Sequence, residues 1–313
     1  MPIAYFEPLA RSWERMKVAL FKPFDIHKWF VVGFNAFLAA LADAHNGSSG
    51  WRAGGDMSFR EFLDLPSRGW HWLLDHPGWS MLIVFIALVA IVVGIVLLWL
   101  TSRGKFMFLD NVVHNRAEIA KPWKEFRAEG RSLFLWRLGF GLIALIVVAA
   151  FAVFFFVTAR QLYEGMSSHR IPIPYIVGMG LLFLLMLVII GFMFLFLESF
   201  VVPLMYKNRI GTTQGWRFFL PLLRRYPFYF ILFGLEMLVL YVLFMAVVII
   251  AGIVTCCIGW LLLVIPYIGT VVTLPIWYTF RAFSIEFLEQ FGPEFAFFPI
   301  TVAQPAAPPA PST

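Results

Sequence analysis

The sequence predicts an all-α, polytopic membrane protein with six transmembrane helices in three hairpins and further helices along the cytoplasmic interface. Three observations carry this reading. Trp79–Leu100, Leu138–Ala159 and Ile173–Leu197 hold no charged residue, and a spanning helix needs about 20 mostly apolar residues. Hydrophobic residues make up 61% of the 313 positions and charged residues 13%, well away from the balance of a soluble domain. The basic residues, finally, collect on alternate connections between the apolar stretches.

Residues 1–25 read as an amphipathic cytoplasmic segment. Leu9, Trp13, Met16 and Leu20 follow helical spacing, with Arg11, Arg15, Lys17 and Lys22 around them. Such a helix lies in the headgroup region, its apolar stripe in lipid and its cations near phosphates. Pro23 interrupts it. The expected membrane domain covers 26–290, with spans at 26–43, 79–100, 134–159, 173–203, 227–254 and 259–280. The first is the shortest, because His27, Lys28 and Asp43 confine its uncharged part to Trp29–Ala42; a tilted or re-entrant path is its alternative. The last two divide one uncharged run, Met237–Phe280, and Thr255–Gly259 is the expected break.

Orientation follows from counting. With the N-terminus in the cytoplasm, 18 of the 24 Lys and Arg residues fall on cytoplasmic connections. Only Arg52, Arg60, Arg68, Arg160 and Arg170 fall outside, and Arg137 sits within a span. The positive-inside rule then places both termini in the cytoplasm. Two approach segments also resemble each other at a spacing of 93 residues: Asn115–Arg116, Trp123 and Phe126 against Asn208–Arg209, Trp216 and Phe219. A repeat is the preferred explanation, and two similar basic, aromatic loops the plain one. Trp13, Trp123 and Trp216 are the expected interfacial anchors.

The outer loop 44–78 begins rich in glycine and serine, and Ser58 with Glu61 suits a capping box. Its His71, Asp75 and His76 are spaced too loosely for a metal site, and an aromatic loop resting at the interface accounts for them better. The adjacent Cys256 and Cys257 read as two buried thiols. The Pro/Ala-rich tail, within 291–313, is expected to be mostly disordered.

Glu236 is the most informative polar side chain. It lies about 15 Å along the fifth predicted span, where a carboxylate needs a proton, a partner or a polar cavity. It is therefore the candidate transport or buried-polar site. Arg137 and Glu198, near the same ends of neighbouring spans, form a candidate structural ion pair. Pro266, Gly269 and Pro275 break or bend the last segment, and Gly139 and Gly141 permit close helix approach. No catalytic constellation, metal signature or phosphate loop stands out, so no cofactor is expected, and no separate basic domain suggests nucleic acid.

Three stretches, FKPFDIHKWF at 21–30, VVPLMYKNRIGTTQGWRFF at 201–219 and CCIGWLLLVIPYIGTVVTLPIWYTFRAFSIEFLEQFGPEF at 256–295, resemble an uncharacterised bacterial family of multi-pass proteins. That family is similar to the membrane domain of glycerophosphodiester phosphodiesterases, without the catalytic domain. The resemblance implies a six-helix module in the bacterial cytoplasmic membrane and no catalytic residue. The expected function is thus a non-enzymatic membrane scaffold or envelope-associated accessory protein, in contact with lipids and with another membrane or cytoplasmic protein. Its alternative is a transporter or channel using Glu236 and the broken sixth helix.

Overall fold

The computed structural model describes residues 3–42, 59–165, 173–255, 263 and 265–298. Within them the regular structure is helical, save for one isolated bridge between Phe21 and Phe24. In chain order the helices are α1 (Phe6–Phe21), α2 (Ile26–Ala40), α3 (Phe59–Leu63), α4 (Leu65–Asp75), α5 (Pro77–His114), α6 (Ala120–Glu125), α7 (Arg127–Gly165) and α8 (Ile173–Phe196). A π turn, Leu197–Val201, joins α8 to α9 (Val202–Asn208). Then follow α10 (Thr212–Arg225), α11 (Pro227–Val254), α12 (Pro266–Val272) and α13 (Leu274–Glu289). The capping-box serine, the cysteine pair and the tail from 299 onward lie outside the described residues.

Four helices among the described residues are long and apolar enough to cross a bilayer: α5, α7, the continuous α8–π–α9 rod Ile173–Asn208, and α11. This corrects the expectation of six. Helix α2 has 15 residues, hence about 22 Å of rise, short of the roughly 30 Å hydrocarbon layer. It buries Val32, Asn35, Ala36 and Leu38, and Gly104 of α5 lies against its backbone at Leu38 and Ala39. The predicted sixth span is also divided. Its described part is mainly the seven-residue α12, a break at Thr273, and the start of α13, whose Leu274 and Tyr278 are buried in protein. The three-hairpin plan falls with these two segments.

The separate interfacial helices are corrected as well. Helix α1 turns Ser12, Met16, Ala19 and Leu20 inward, packed along α13, while Trp13 stays 47% exposed. Helix α10 buries Trp216 and Phe219. Both helices are walls of a protein core rather than rafts on a headgroup layer.

That core occupies one end of the molecule, here called the base. Phe200, Phe219, Phe230, Phe233, Phe283 and Phe287 are all fully buried there. Phe200 stacks on Phe219 at 5.2 Å and meets Phe233 with tilted rings at 4.8 Å between centroids, in the range where ring pairs add to simple burial. Helix α5 shows the change of medium along one rod: its side chains are exposed from Met81 to Val96, then almost continuously buried from Thr101 to Val113. No residue in the most apolar stretch of α5 or α7 is buried by protein. Away from the base, the rods carry their apolar surface outward, as lipid-facing helices do.

Chain reversals at the base have a shared design. α5 stops at Asn115 (φ 51°) and α9 at Arg209 (φ 54°), both left-handed caps, after which a short helix turns the chain into α7 or α11. The two caps are one residue out of register with the 93-residue repeat. Pro77 and Pro227 open α5 and α11, where the missing N–H is not needed. At the far end, α3 meets α7 through Phe59–Tyr163 and Phe62–Phe156 ring contacts. Gly139 and Gly141, which permit close helix approach, are not approached by the described residues: a Cβ at either would meet nothing within 4 Å.

Candidate functional site

A cavity of about 580 Å³ lies where base and spans join. α2, α5, α7, α8, the π turn, α11 and α13 all contribute to its wall. Its charged lining is Lys105, Arg137, Glu198 and Arg281, with Ser199 and Ser284 beside them. Much of the remaining wall is apolar, including Ala39, Leu98, Phe194 and Leu195.

Glu198 organises the cations. Its carboxylate accepts a hydrogen bond from the Lys105 ammonium, and Arg137 Nη2 stands 3.6 Å from the same Oε1. The Lys105 and Arg137 side chains are 2% and 5% exposed and that of Glu198 34%. Burial of such groups is tolerable only when opposite charge and hydrogen bonds replace water.

The π turn explains the third cation. Val202 donates its N–H to the Leu197 carbonyl, five residues back. The next such bond would run from residue 203 to the Glu198 carbonyl, but that residue is Pro203 and has no N–H. Arg281 Nη1 donates to the Glu198 carbonyl oxygen instead, at 2.7 Å. One residue thus holds two cations through its side chain and a third through its backbone. Widened turns of this kind often mark functional positions.

The structure brings Arg137 and Glu198 together and leaves Glu236 elsewhere. Met237 and Tyr241 of α11 line the cavity and Glu236 does not. Both Glu236 carboxylate oxygens are shielded from solvent without a hydrogen-bond partner among the described residues. Trp123 packs edge-on against Trp99, with the Arg103 guanidinium over both rings. Trp216 is buried and stacks on Trp136. Among the described residues no three His, Cys, Asp or Glu side chains gather as a metal site.

Lys105 and Arg281 escaped the sequence reading. Lys105 was one basic residue of a presumed loop, 101–131, whereas it lies on the buried continuation of α5. The 93-residue spacing between Lys105 and Glu198 was the available signal.

Two further networks brace the base. Asp110, 1% exposed, accepts from Tyr206 Oη at 2.8 Å and from Arg116 Nη2 at 3.2 Å, with His114 Nδ1 at 3.1 Å. Arg15 of α1 donates to Glu286 of α13. Burial pushes the Glu286 carboxyl above its ordinary 4.5, and the hydrogen bond and charge of Arg15 pull it back in part. Nearby, Ala4 N donates to Gln290 Oε1 at 2.8 Å and Gln290 Nε2 donates to Ala4 O at 2.9 Å.

Comparison with known proteins returns no matching curated protein and no matching solved structure. A family profile does match, and it carries no specific link to the membrane domains of glycerophosphodiester phosphodiesterases. Covering residues 4–298, and so the base, the spans and the cavity together, that match makes the chain a member of DUF7544, a family of unknown function.

Proposed function

We propose that the chain is a non-enzymatic scaffold or accessory protein of the bacterial cytoplasmic membrane, with its base on the cytoplasmic side, holding another membrane protein. One observation carries this reading: the four rods are packed together at the base yet offer almost entirely unburied apolar faces along their most apolar stretches. Helix association in a bilayer depends on close packing and polar contacts, so a braced base with open rods offers lateral surface to lipid and to partner helices. The orientation is supported by the basic residues near Asn115 and Arg209 at the base. Kinship with the phosphodiesterase membrane domains belongs to the same proposal and concerns architecture alone.

The test is photo-crosslinking in intact membranes from positions on the exposed faces of α5, α7 and α11, such as Val89, Ile146 and Val242. A scaffold gives one reproducible protein adduct from one face, retained on mild solubilisation. Adducts to lipid only, from every face, would sink the proposal.

A further inference from the structure

We infer that the point where α5 and α7 enter the base binds the phosphate of an anionic phospholipid, with Arg103 and Arg127 as the cations that hold it. Depth is the first argument. On α5 the side chains are exposed up to Val96 and buried from Thr101, and Trp99 and Arg103 stand at that changeover. On α7, Leu135 and Leu142 are exposed to the bilayer side, and Arg131 and Arg127 precede Leu135 by about one and two turns on the same face. The two levels meet at Gly130, where a Cβ would lie 2.9 Å from Arg103 Cγ. Tryptophan beside arginine at such a changeover belongs to headgroup depth.

Charge is the second. The Arg103 guanidinium lies 4.5 Å from the centroid of the Trp99 ring and 4.9 Å from that of Trp123, and the two rings meet edge-on. Its Nε is shielded from solvent without a hydrogen-bond partner. Among the described residues no carboxylate pairs with Arg103 or Arg127, and the acids beside Arg127 in the chain, Glu125 and Glu129, are engaged by Arg209. The charge that does bear on Arg103 is the like charge of Arg127. Two guanidiniums that repel each other in a partly buried setting gain more from a shared anion than they would in open water. The rings meanwhile fix the Arg103 fork and leave its terminal nitrogens for an oxygen ligand.

The surroundings select the ligand. Planar guanidinium forks suit the paired oxygens of a phosphate. Apolar surface begins directly beyond the arginines, with Val96 54% and Leu135 55% exposed, so a phosphate that carries glycerol and acyl chains covers what a free ion would leave bare. Lys121 and Lys124 of α6, on either side of Trp123 in the chain, and Arg131 are exposed as well. A zwitterionic headgroup would bring a further cation among these, whereas an anionic one adds none.

The experiment places the purified full chain in phosphatidylcholine nanodiscs doped with phosphatidylglycerol, and counts retained lipid by native mass spectrometry after delipidation. The expected result is phosphatidylglycerol held in preference to phosphatidylcholine. Arg127→Gln removes an exposed cation and should reduce that retention about tenfold, the loss of one charge-assisted hydrogen bond. Arg103→Lys keeps the charge but loses the fork, and should reduce it as well. Arg217→Gln removes an exposed arginine of α10 and should leave retention as it is. Circular dichroism checks folding, and if Arg103→Lys does not fold, the exposed Arg127 position decides. Equal retention of both lipids, or unchanged retention in either folded variant of the site, overturns the inference. An equal loss in Arg217→Gln shows diffuse attraction to basic surface and overturns it too, as does displacement of the lipid by millimolar inorganic phosphate alone, which assigns the site to a free anion. Partner capture plays no part in this readout, so it stands or falls separately from the scaffold proposal.

Discussion

Lys105 and Glu198 form an ion pair, and they are separated by 93 residues, the spacing at which Asn115–Arg116 and Trp123 resemble Asn208–Arg209 and Trp216. Each stands at the inner end of a rod that leads to a left-handed cap, a further helix and the next rod. The pair therefore ties the base-facing end of α5 to the π turn that follows α8.

The cluster is lopsided, and its response to mutation should be lopsided too. Glu198→Gln removes the carboxylate that Lys105 and Arg137 share, at a cost of about 1.5–3 kcal/mol, the usual range for a hydrogen bond to a charged group. Lys105→Met leaves Glu198 in contact with Arg137 and should cost at least about 1 kcal/mol less. Thermal unfolding in a single detergent ranks the two; equal losses would show that Glu198 is not the organising group.

Gly104 is where a rod and α2 meet most closely. A Cβ there would lie 2.6 Å from the Leu38 carbonyl carbon and 2.7 Å from Ala39 N, both backbone atoms that cannot rotate away. Gly104→Ala should destabilise by about 1–3 kcal/mol. Gly94→Ala, in open surroundings on the same helix, should be neutral or stabilising by up to about 1 kcal/mol. Melting temperatures of the two variants, moving in opposite directions, are the expected readout.

The Arg15–Glu286 contact should give a pH signature. A carboxyl raised above its unfolded value contributes stability that is complete below about pH 4.5 and is lost as pH rises through the folded value. Glu286→Gln removes that loss, so its melting temperature should gain on the wild type as pH rises through this window. Arg15→Gln removes the partner that holds the carboxyl down and should extend the wild-type loss to higher pH. Parallel profiles for all three proteins would exclude the linkage.

Topology offers the most direct check. Single cysteines at positions 115, 208 and 291 should react with an impermeant thiol reagent from one side of sealed vesicles, and those at 75 and 165 from the other. Position 4 should follow the first group, because Ala4 is bonded to Gln290. Reaction of 4 and 115 from opposite sides would require a membrane crossing by α2 that its 15 residues do not supply.

Hydropathy made all four rods legible, α11 to its exact bounds, but misplaced ends of the other three. α5 runs on to His114 because Thr101, Ser102, Lys105, Asp110 and Asn111 are buried in the base, where helix continues through polar residues that hydropathy reads as a loop. The same measure counted α2 and the 259–280 segment as spans. Val32 and Leu38, or Val271 and Leu274, are as apolar as any lipid-facing residue, yet all four are buried by protein. Apolar composition reports removal from water and does not distinguish lipid from a protein core. Of the site, Arg137 and Glu198 were visible because they interrupt apolar runs. Lys105 and Arg281 were hidden at the margins of charged segments, and no sequence rule foretold that Pro203 would free a carbonyl for a guanidinium.

The clasp between Ala4 and Gln290 has a bearing on biosynthesis. The inward face of α1 is completed by α13, more than 250 residues later in the chain. At roughly 5–20 residues per second, α1 emerges from the ribosome tens of seconds before its partner exists. During that interval the Met16–Leu20 face has only lipid, an insertion factor or an earlier rod to cover it. The base is therefore the last part of the molecule to close, and a chain cut short before α13 is left with rods inserted and its foundation open.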